Sequence, residues 1–192
     1  MTESRLRVLR ADDHVRMAWA NGGGTTYQVL VSPEGAGPDE FDWRISLADV
    51  ESSGPFSCFP GIERILVLLE GEGMELVVDG RVVPLARHDP LRFDGGADTS
   101  CTLAAGPTKD LNVMTRQGRC RADVDVVSVD GEHALAPGDG TTVLVLVLDG
   151  QVRADEVRLW SRDLAVVDRP VVLRGTAVLG VVTVGAAPSG HG

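Results

Sequence analysis

Cysteine, histidine and positive charge are all scarce in this chain. Its three cysteines, Cys58, Cys101 and Cys120, are odd in number, sit in different segments and form no Cys-x-x-Cys pair. That distribution fits reduced, mostly buried thiols and argues against a disulfide framework. The histidines, His14, His88, His133 and His191, stand singly, so a paired set of imidazole ligands for a transition metal is lacking and no metal or other cofactor is expected. His88, within Arg87-His88-Asp89-Pro90, reads as an exposed turn residue. No Gly-x-Ser-x-Gly elbow supports a Ser/His/Asp hydrolase.

Eighteen Lys and Arg face 28 Asp and Glu, a formal net charge of −10, and the basic residues do not cluster. Phosphate contacts need clustered cations, so a nucleic-acid partner is not expected. An acidic surface mainly favours solubility. It also makes a buried arginine informative, because an anionic ligand must be drawn in by local positive charge against the overall field. No run approaches the roughly 20 apolar residues of a membrane span, and residues 1–10 lack the apolar core of a signal peptide. A cytoplasmic protein without a membrane partner is therefore expected. No window keeps an apolar period of 3.6 over three turns, although 48–53 can form one turn.

What the chain has instead is glycine, 23 residues of it, ten prolines and short valine-rich runs. Alternation or β-branched runs predict strands at 6–9, 27–32, 41–48, 64–69, 74–78, 82–85 and 101–104, then at 111–116, 124–129, 142–148, 164–167, 171–173 and 178–184. Five Asp-Gly pairs, beginning at Asp79, Asp94, Asp130, Asp139 and Asp149, read as tight turns. The chain is all-β. A weak echo relates 64–71, ending Leu69-Glu70-Gly71, to 142–150, ending Leu148-Asp149-Gly150, and each is followed by short valine-bearing segments. The repeat implies two fused antiparallel β-barrels. We assign 1–120 to the first, with N-terminal strands able to pair with the second, 121–187 to a second, smaller and degenerate barrel, and 188–192 to a flexible tail. The second copy has fewer polar residues in interior phase, so a pocket is expected in the first.

The run Trp19-Ala-Asn-Gly-Gly-Gly-Thr-Thr26 is the most unusual stretch. A phosphate-binding P-loop needs Lys followed by Ser or Thr after its last glycine, and Thr25, Thr26 and Tyr27 stand there instead. Asn21-Gly22 alone signals a hairpin. The same run also brackets an exposed cluster of indole, amide and hydroxyl groups.

Together with Phe41-x-Trp-Arg-Ile-Ser46, Gly54-Pro-Phe-Ser57, Phe59-Pro-Gly-Ile-Glu-Arg64 and Asp110-Leu-Asn-Val-Met114, this run resembles the HutD/Ves family across residues 15–116, the remainder matching as a degenerate second barrel. The resemblance implies a bicupin of the RmlC-like cupin type and a cytoplasmic homodimer. Its HutD branch implies a non-catalytic modulator of histidine utilisation that senses urocanate or a formylated glutamate; the Ves branch is associated with stress responses. The sequence does not decide between them. Many cupins hold a metal through His-x-His, a nearby Glu and a later His, a signature missing here.

Strand phase suggests the pocket. In 41–48, Phe41, Trp43, Ile45 and Leu47 share one face and Asp42, Arg44, Ser46 and Ala48 the other. If the first face packs against another sheet, Arg44 and Ser46 line the interior, where a guanidinium can hold a carboxylate through two parallel hydrogen bonds. The alternative exposes that polar face to solvent. Arg64, at a strand mouth, offers a second positive charge or a surface ion pair with Glu63 or Glu70. Asp110, Asn112 and Met114 share a face: Asn112 can donate and accept, Met114 can form an adaptable wall, and Asp110 can orient an arginine or stabilise a turn.

The expected ligand is a small carboxylate metabolite. Arginine would hold its carboxylate, Asn21 or Asn112 and Thr25 or Thr26 its polar atoms, and Trp19 or Phe56 its apolar part. Gly22, Gly23 and Gly24 would let backbone amides approach at the pocket's lip, while Phe59-Pro60-Gly61 reads as a structural corner. No catalytic residue is assigned. The alternative is a metal-free cupin isomerase or lyase on a small organic acid, with Asp110 as base.

Overall fold

The computed structural model describes residues 6–188; of the segment assigned as a tail, all but Pro188 lies outside them. Sixteen strands account for most of the chain. They are β1 (Arg7–Leu9), β2 (Val15–Ala18), β3 (Gly24–Ser32), β4 (Trp43–Val50), β5 (Gly54–Pro55), β6 (Ile62–Glu70), β7 (Met74–Val78) and β8 (Arg81–Leu85). There follow β9 (Pro90–Asp94), β10 (Thr99–Leu103), β11 (Thr108–Arg116), β12 (Cys120–Leu135), β13 (Thr141–Ala154), β14 (Val157–Trp160), β15 (Leu164–Val167) and β16 (Val171–Ala186). The described helical content is one 3-10 turn at Ala11–Asp13, and no described helix is long and apolar enough to cross a membrane. Residues 48–50, read as a possible helical turn, instead complete β4.

The chain divides into two compact units, one built from Val15–Arg121 with 187–188 and the other from 6–14 with Ala122–Ala186. Residues 6–14 therefore group with the C-terminal strands, through antiparallel pairing of β1 with β15. The N-terminal unit has a six-stranded sheet in the order β2-β3-β4-β11-β6-β9 and a four-stranded sheet in the order β5-β10-β7-β8. Leu66 and Leu68 of the first sheet cluster with Met74, Leu76, Leu85 and Cys101 of the second, so the two sheets face each other across an apolar core. This is the jelly-roll solution to an all-β chain with many short strands. The C-terminal unit is one six-stranded sheet, β1-β15-β13-β16-β12 with β14 beside β13, around a core of valine, leucine and alanine.

Two of the five Asp-Gly pairs behave differently from the expectation. Asp79 and Gly80, with φ of 47° and 78°, make the tight hairpin between β7 and β8. Asp130-Gly131 and Asp149-Gly150 lie inside long strands, and at the latter the β13–β16 register slips between Val147 and Asp149. Gly150, at φ 81°, bends β13 there as a bulge does, and a side chain on it would meet the backbone of Thr176. Strands predicted as separate at 171–173 and 178–184 are consequently one bent strand, β16.

Candidate functional site

Register across β4, β11 and β6 sets three rows of side chains on one face of the N-terminal unit's larger sheet. Met114 stands opposite both Arg44 and Arg64; Asn112 stands between Ser46 and Leu66; Asp110 stands between Ala48 and Leu68. Directly opposed residues project to the same side, so the alternation expected for 110–114 and for Arg44 and Ser46 brings these groups together. On the β6 side this face is filled by leucines of the inter-sheet core. On the β4 and β11 side it carries polar groups and opens into a cavity of about 320 Å³.

Two guanidiniums dominate that cavity. Arg64 is 4% exposed. It does not sit at a strand mouth paired with Glu63, because β6 begins at Ile62 and Glu63 pairs instead with Arg92. Its Cζ lies 5.3, 5.6 and 5.0 Å from the ring centres of Phe56, Phe59 and Phe93, while Nε and Nη1 donate to the Asn112 Oδ1 and the Ser57 carbonyl at 3.5 Å, the long limit of a hydrogen bond. Arg44 is half-buried, 5.1 Å from the Phe41 ring and 5.6 Å from Phe59, with Nη2 donating to the Met114 sulfur at 3.0 Å and Nε buried without a partner. Aromatic faces and a thioether hold the cations in place and leave most of their strong donors unused.

Burial pulls the Arg64 guanidinium down to about 10; Asp110 opposes that shift and the like charge of Arg44 adds to it. Burial also lowers Arg44. Asp110, 1% exposed, is pushed up to about 7 by burial, against the pull of Arg64 and Lys109 and with a contribution from Asp49. Its Oδ1 has no hydrogen-bond partner. Two cations thus share the cavity with a carboxyl whose ionisation is held back by burial, so positive charge predominates there near neutral pH.

The other wall comes from the glycine run. Residues 19–23 connect β2 to β3, closed by Gly22 N–H to the Trp19 carbonyl at 3.0 Å and Trp19 N–H to the Gly24 carbonyl at 2.9 Å. The segment is a hairpin loop, and Trp19, Asn21 and Thr26 of the run line the cavity while its glycines do not. Trp19 donates its indole N–H to the Thr26 Oγ1 at 2.8 Å and meets Phe56 edge-on at 6.4 Å. With its oxygen accepting, the Thr26 hydroxyl keeps its proton to donate into the cavity. Asn21 Oδ1 caps the Gly23 N–H at 3.0 Å, leaving its NH₂ free of that bond.

Of the residues proposed from sequence, Trp19, Asn21, Thr26, Arg44, Ser46, Phe56, Arg64, Asp110 and Asn112 line the cavity. Gly23, Gly24, Thr25 and Met114 do not. The Gly23 amide is taken by Asn21, and Thr25 and Met114 are buried in packing. Gly24 begins β3 rather than a lip: a Cβ there would stand 3.1 Å from the Trp19 ring and inside contact distance of the Asp49 carbonyl. Its absent side chain seats the indole; it does not admit ligand. Phe59, read as a structural corner, lines the cavity between the two guanidiniums, and Phe41, which precedes β4, stacks on Arg44 rather than sharing the Trp43 face. Ala20, Ala48, Pro55 and Ser57, lining residues also, were not singled out. Ala20 and Ser57 lie in irregular segments and Pro55 in the two-residue strand β5, too short for a period to assign a direction. His88 is half-buried at a left-handed φ of 70°, not fully exposed.

Among the described residues no group of three or more His, Cys, Asp or Glu is placed to hold a metal ion. Distant solved structures, cupin barrel proteins among them, share the architecture at 13% identity or thereabouts, which shows the fold alone. Nearer relatives are more specific. An uncharacterised 21.2 kDa protein from the hutC 3′ region of Pseudomonas putida is 45% identical over 162 residues, 84% of this chain and 82% of its own. Protein Ves of Citrobacter koseri is 42% identical over 110 residues, 56% of each chain. The solved structure of HutD from Pseudomonas fluorescens SBW25 superposes with a TM-score of 0.84 at 32% identity, covering 96% of this chain and 100% of that one. The HutD family model itself matches residues 11–180, a span that takes in every lining residue of the cavity and most of the C-terminal unit, and the chain belongs to the HutD family.

Proposed function

We propose that this protein binds a small carboxylate metabolite without turning it over and thereby modulates histidine utilisation, with urocanate or a formylated glutamate as the sensed acid. The observation that carries the reading is the convergence of Arg44 and Arg64 on one cavity, both with unused donors, in a chain of net charge −10. Burying two like charges together is costly, and the cost is offset when an anion enters. A planar fork with parallel N–H donors matches a carboxylate. Thr26, Asn21 and Asn112 supply polar contacts and Trp19, Phe56 and Phe59 an apolar wall, a mixture suited to a small organic acid. The volume has room for about ten water-sized groups.

The relative from the hutC 3′ region aligns over 84% of this chain at 45% identity and two Ves proteins over 56% and 69%, which supports the histidine-utilisation branch. In this reading the protein works in the cytoplasm as a homodimer, as expected for the family. Calorimetric titration with urocanate and formylglutamate tests it: saturable binding by the native protein, lost in Arg44→Ala, is expected. Absence of saturable heat from both acids, or heat unchanged in Arg44→Ala, refutes it.

Asp110 supports a second reading, a metal-free isomerase or lyase. A carboxyl with its pKa near 7, beside a bound acid, is suited to proton transfer. New products by NMR after incubation with either acid, abolished in Asp110→Asn, would replace binding with catalysis.

A further inference from the structure

The cavity's unsatisfied groups are of two kinds. Arg44 Nε is a donor, and Asp110 Oδ1 is an acceptor; both are buried and neither has a partner. Arg64 lies between them electrostatically, its charge favoured by Asp110 and disfavoured by Arg44. One end of the site is therefore cationic and the other carries a carboxyl whose Oδ1 has no protein donor. Resting on the carboxylate reading above, we propose that the pocket selects acids that also carry an N–H group, with Arg44 and Arg64 holding the carboxylate and Asp110 accepting the N–H.

The physical basis is the cost of leaving a buried polar atom unpaired. An acid without an N–H, whether mono- or dicarboxylate, seals the cavity over Asp110 and gives its oxygen nothing; an imidazole or amide N–H completes it. Other side chains cannot take that role. Lys109, the adjacent cation on β11, is committed to Asp49 of β4, and Arg64 directs its nearest donors to Asn112 and Ser57. The remaining titratable neighbour, the Cys101 thiol of β10, is itself raised, chiefly by burial, with Asp110 adding to the shift. Plain carboxylate binding needs only the arginines, so Asp110 adds selectivity to it.

The test compares urocanate with 3-(2-furyl)acrylate by calorimetry at pH 8, where Asp110 is mostly ionised. Both have an acrylate carboxylate on a five-membered ring, but the furan has no N–H. The native protein is expected to favour urocanate roughly tenfold or more, and Asp110→Leu to bring the two affinities together. Asp110→Asn, which keeps a neutral acceptor, should retain part of the preference. Equal binding of the two acids by the native protein overturns the proposal while leaving the carboxylate reading intact. Binding of neither overturns the proposal, and the carboxylate reading falls with it when formylglutamate also gives no saturable heat. A urocanate preference that survives unchanged in Asp110→Leu also overturns it, because the N–H is then read elsewhere.

Discussion

Two buried aspartates, one in each unit, show how differently the units use the same side chain. Asp163 of the C-terminal unit is 3% exposed, and its oxygens accept from Arg10 Nη1 at 2.6 Å, Ala11 N–H at 3.1 Å and Trp160 N–H at 3.0 Å. Asp110 of the N-terminal unit is as deeply buried, yet one oxygen has no partner at all. Among the described residues, every other buried polar or charged side chain lies in the N-terminal unit. Of its described residues, the C-terminal unit leaves one buried side-chain nitrogen, His14 Nε2, without a partner, but no such group enters its apolar core. Its largest apolar cluster runs from Leu6 through Val145 and Leu159 to Val181 without a charge. Open volume does not separate the two: the cleft around Thr176 and Asp130, at about 390 Å³, is larger than the arginine cavity, but no cation lines it. Two guanidiniums beside a carboxyl with an unpaired oxygen distinguish the arginine cavity where volume alone does not.

The contrast can be broken most directly at the aspartates. Asp110 has its folded pKa raised from 3.8 to about 7, so the ionised form is the disfavoured one in the folded state. The part of its burial cost that comes from ionisation is absent near pH 3, grows as pH rises through 4 to 7 and is complete above about 7. Asp110→Leu should therefore stabilise the protein at pH 8 by up to about 4 kcal/mol, with the gain fading toward pH 4, as followed by thermal melts across pH. Asp163→Ala should do the opposite, lowering stability by about 3 kcal/mol because three donors lose their acceptor, while leaving ligand affinity unchanged. If both substitutions destabilise equally at pH 8, Asp110 is structural and the contrast fails.

Smaller effects sharpen the comparison. Arg44→Ala should weaken carboxylate binding by roughly a hundredfold in calorimetry without a comparable loss of stability, since the guanidinium is held by ring faces and a sulfur. Gly24→Ala forces a Cβ against the Trp19 ring and the Asp49 carbonyl and should cost about 1 to 2 kcal/mol in a denaturant titration. In that variant the wall formed by Trp19 shifts, so affinity should fall as well.

Much of the site was legible because strands impose a period of two. Asp110 and Asn112 on β11 and Arg44 and Ser46 on β4 fall into the cavity by alternation, and antiparallel register brings the two strands side by side. Arg64 was half legible: its charge was noted, but that it is buried depends on β6 starting two residues earlier and on three phenylalanines drawn from distant segments. Phe59 and Ser57 lie where no period exists to assign a direction. Gly24 was misread for a different reason. A missing side chain announces a close approach but not what approaches, and here it is Trp19. Asp130-Gly131 and Asp149-Gly150 show the same limit in the fold, since an Asp-Gly pair serves a turn or a bulge equally well and only the length of the flanking β-branched runs separates the two.

The bond from the Trp19 indole to Thr26 has an optical consequence. Indole emission depends on the polarity and hydrogen bonding around its ring, and here the acceptor is a hydroxyl facing the cavity. On the carboxylate reading, an acid that recruited the Thr26 proton would polarise that oxygen and alter the indole's surroundings at once, so a change in Trp19 emission on adding the acid is the expected sign of occupancy. The chain has only two other fluorophores of that kind, Trp43 and Trp160. Replacing both with phenylalanine would leave Trp19 as the sole indole, so that filling of the cavity could be followed by light with no label attached.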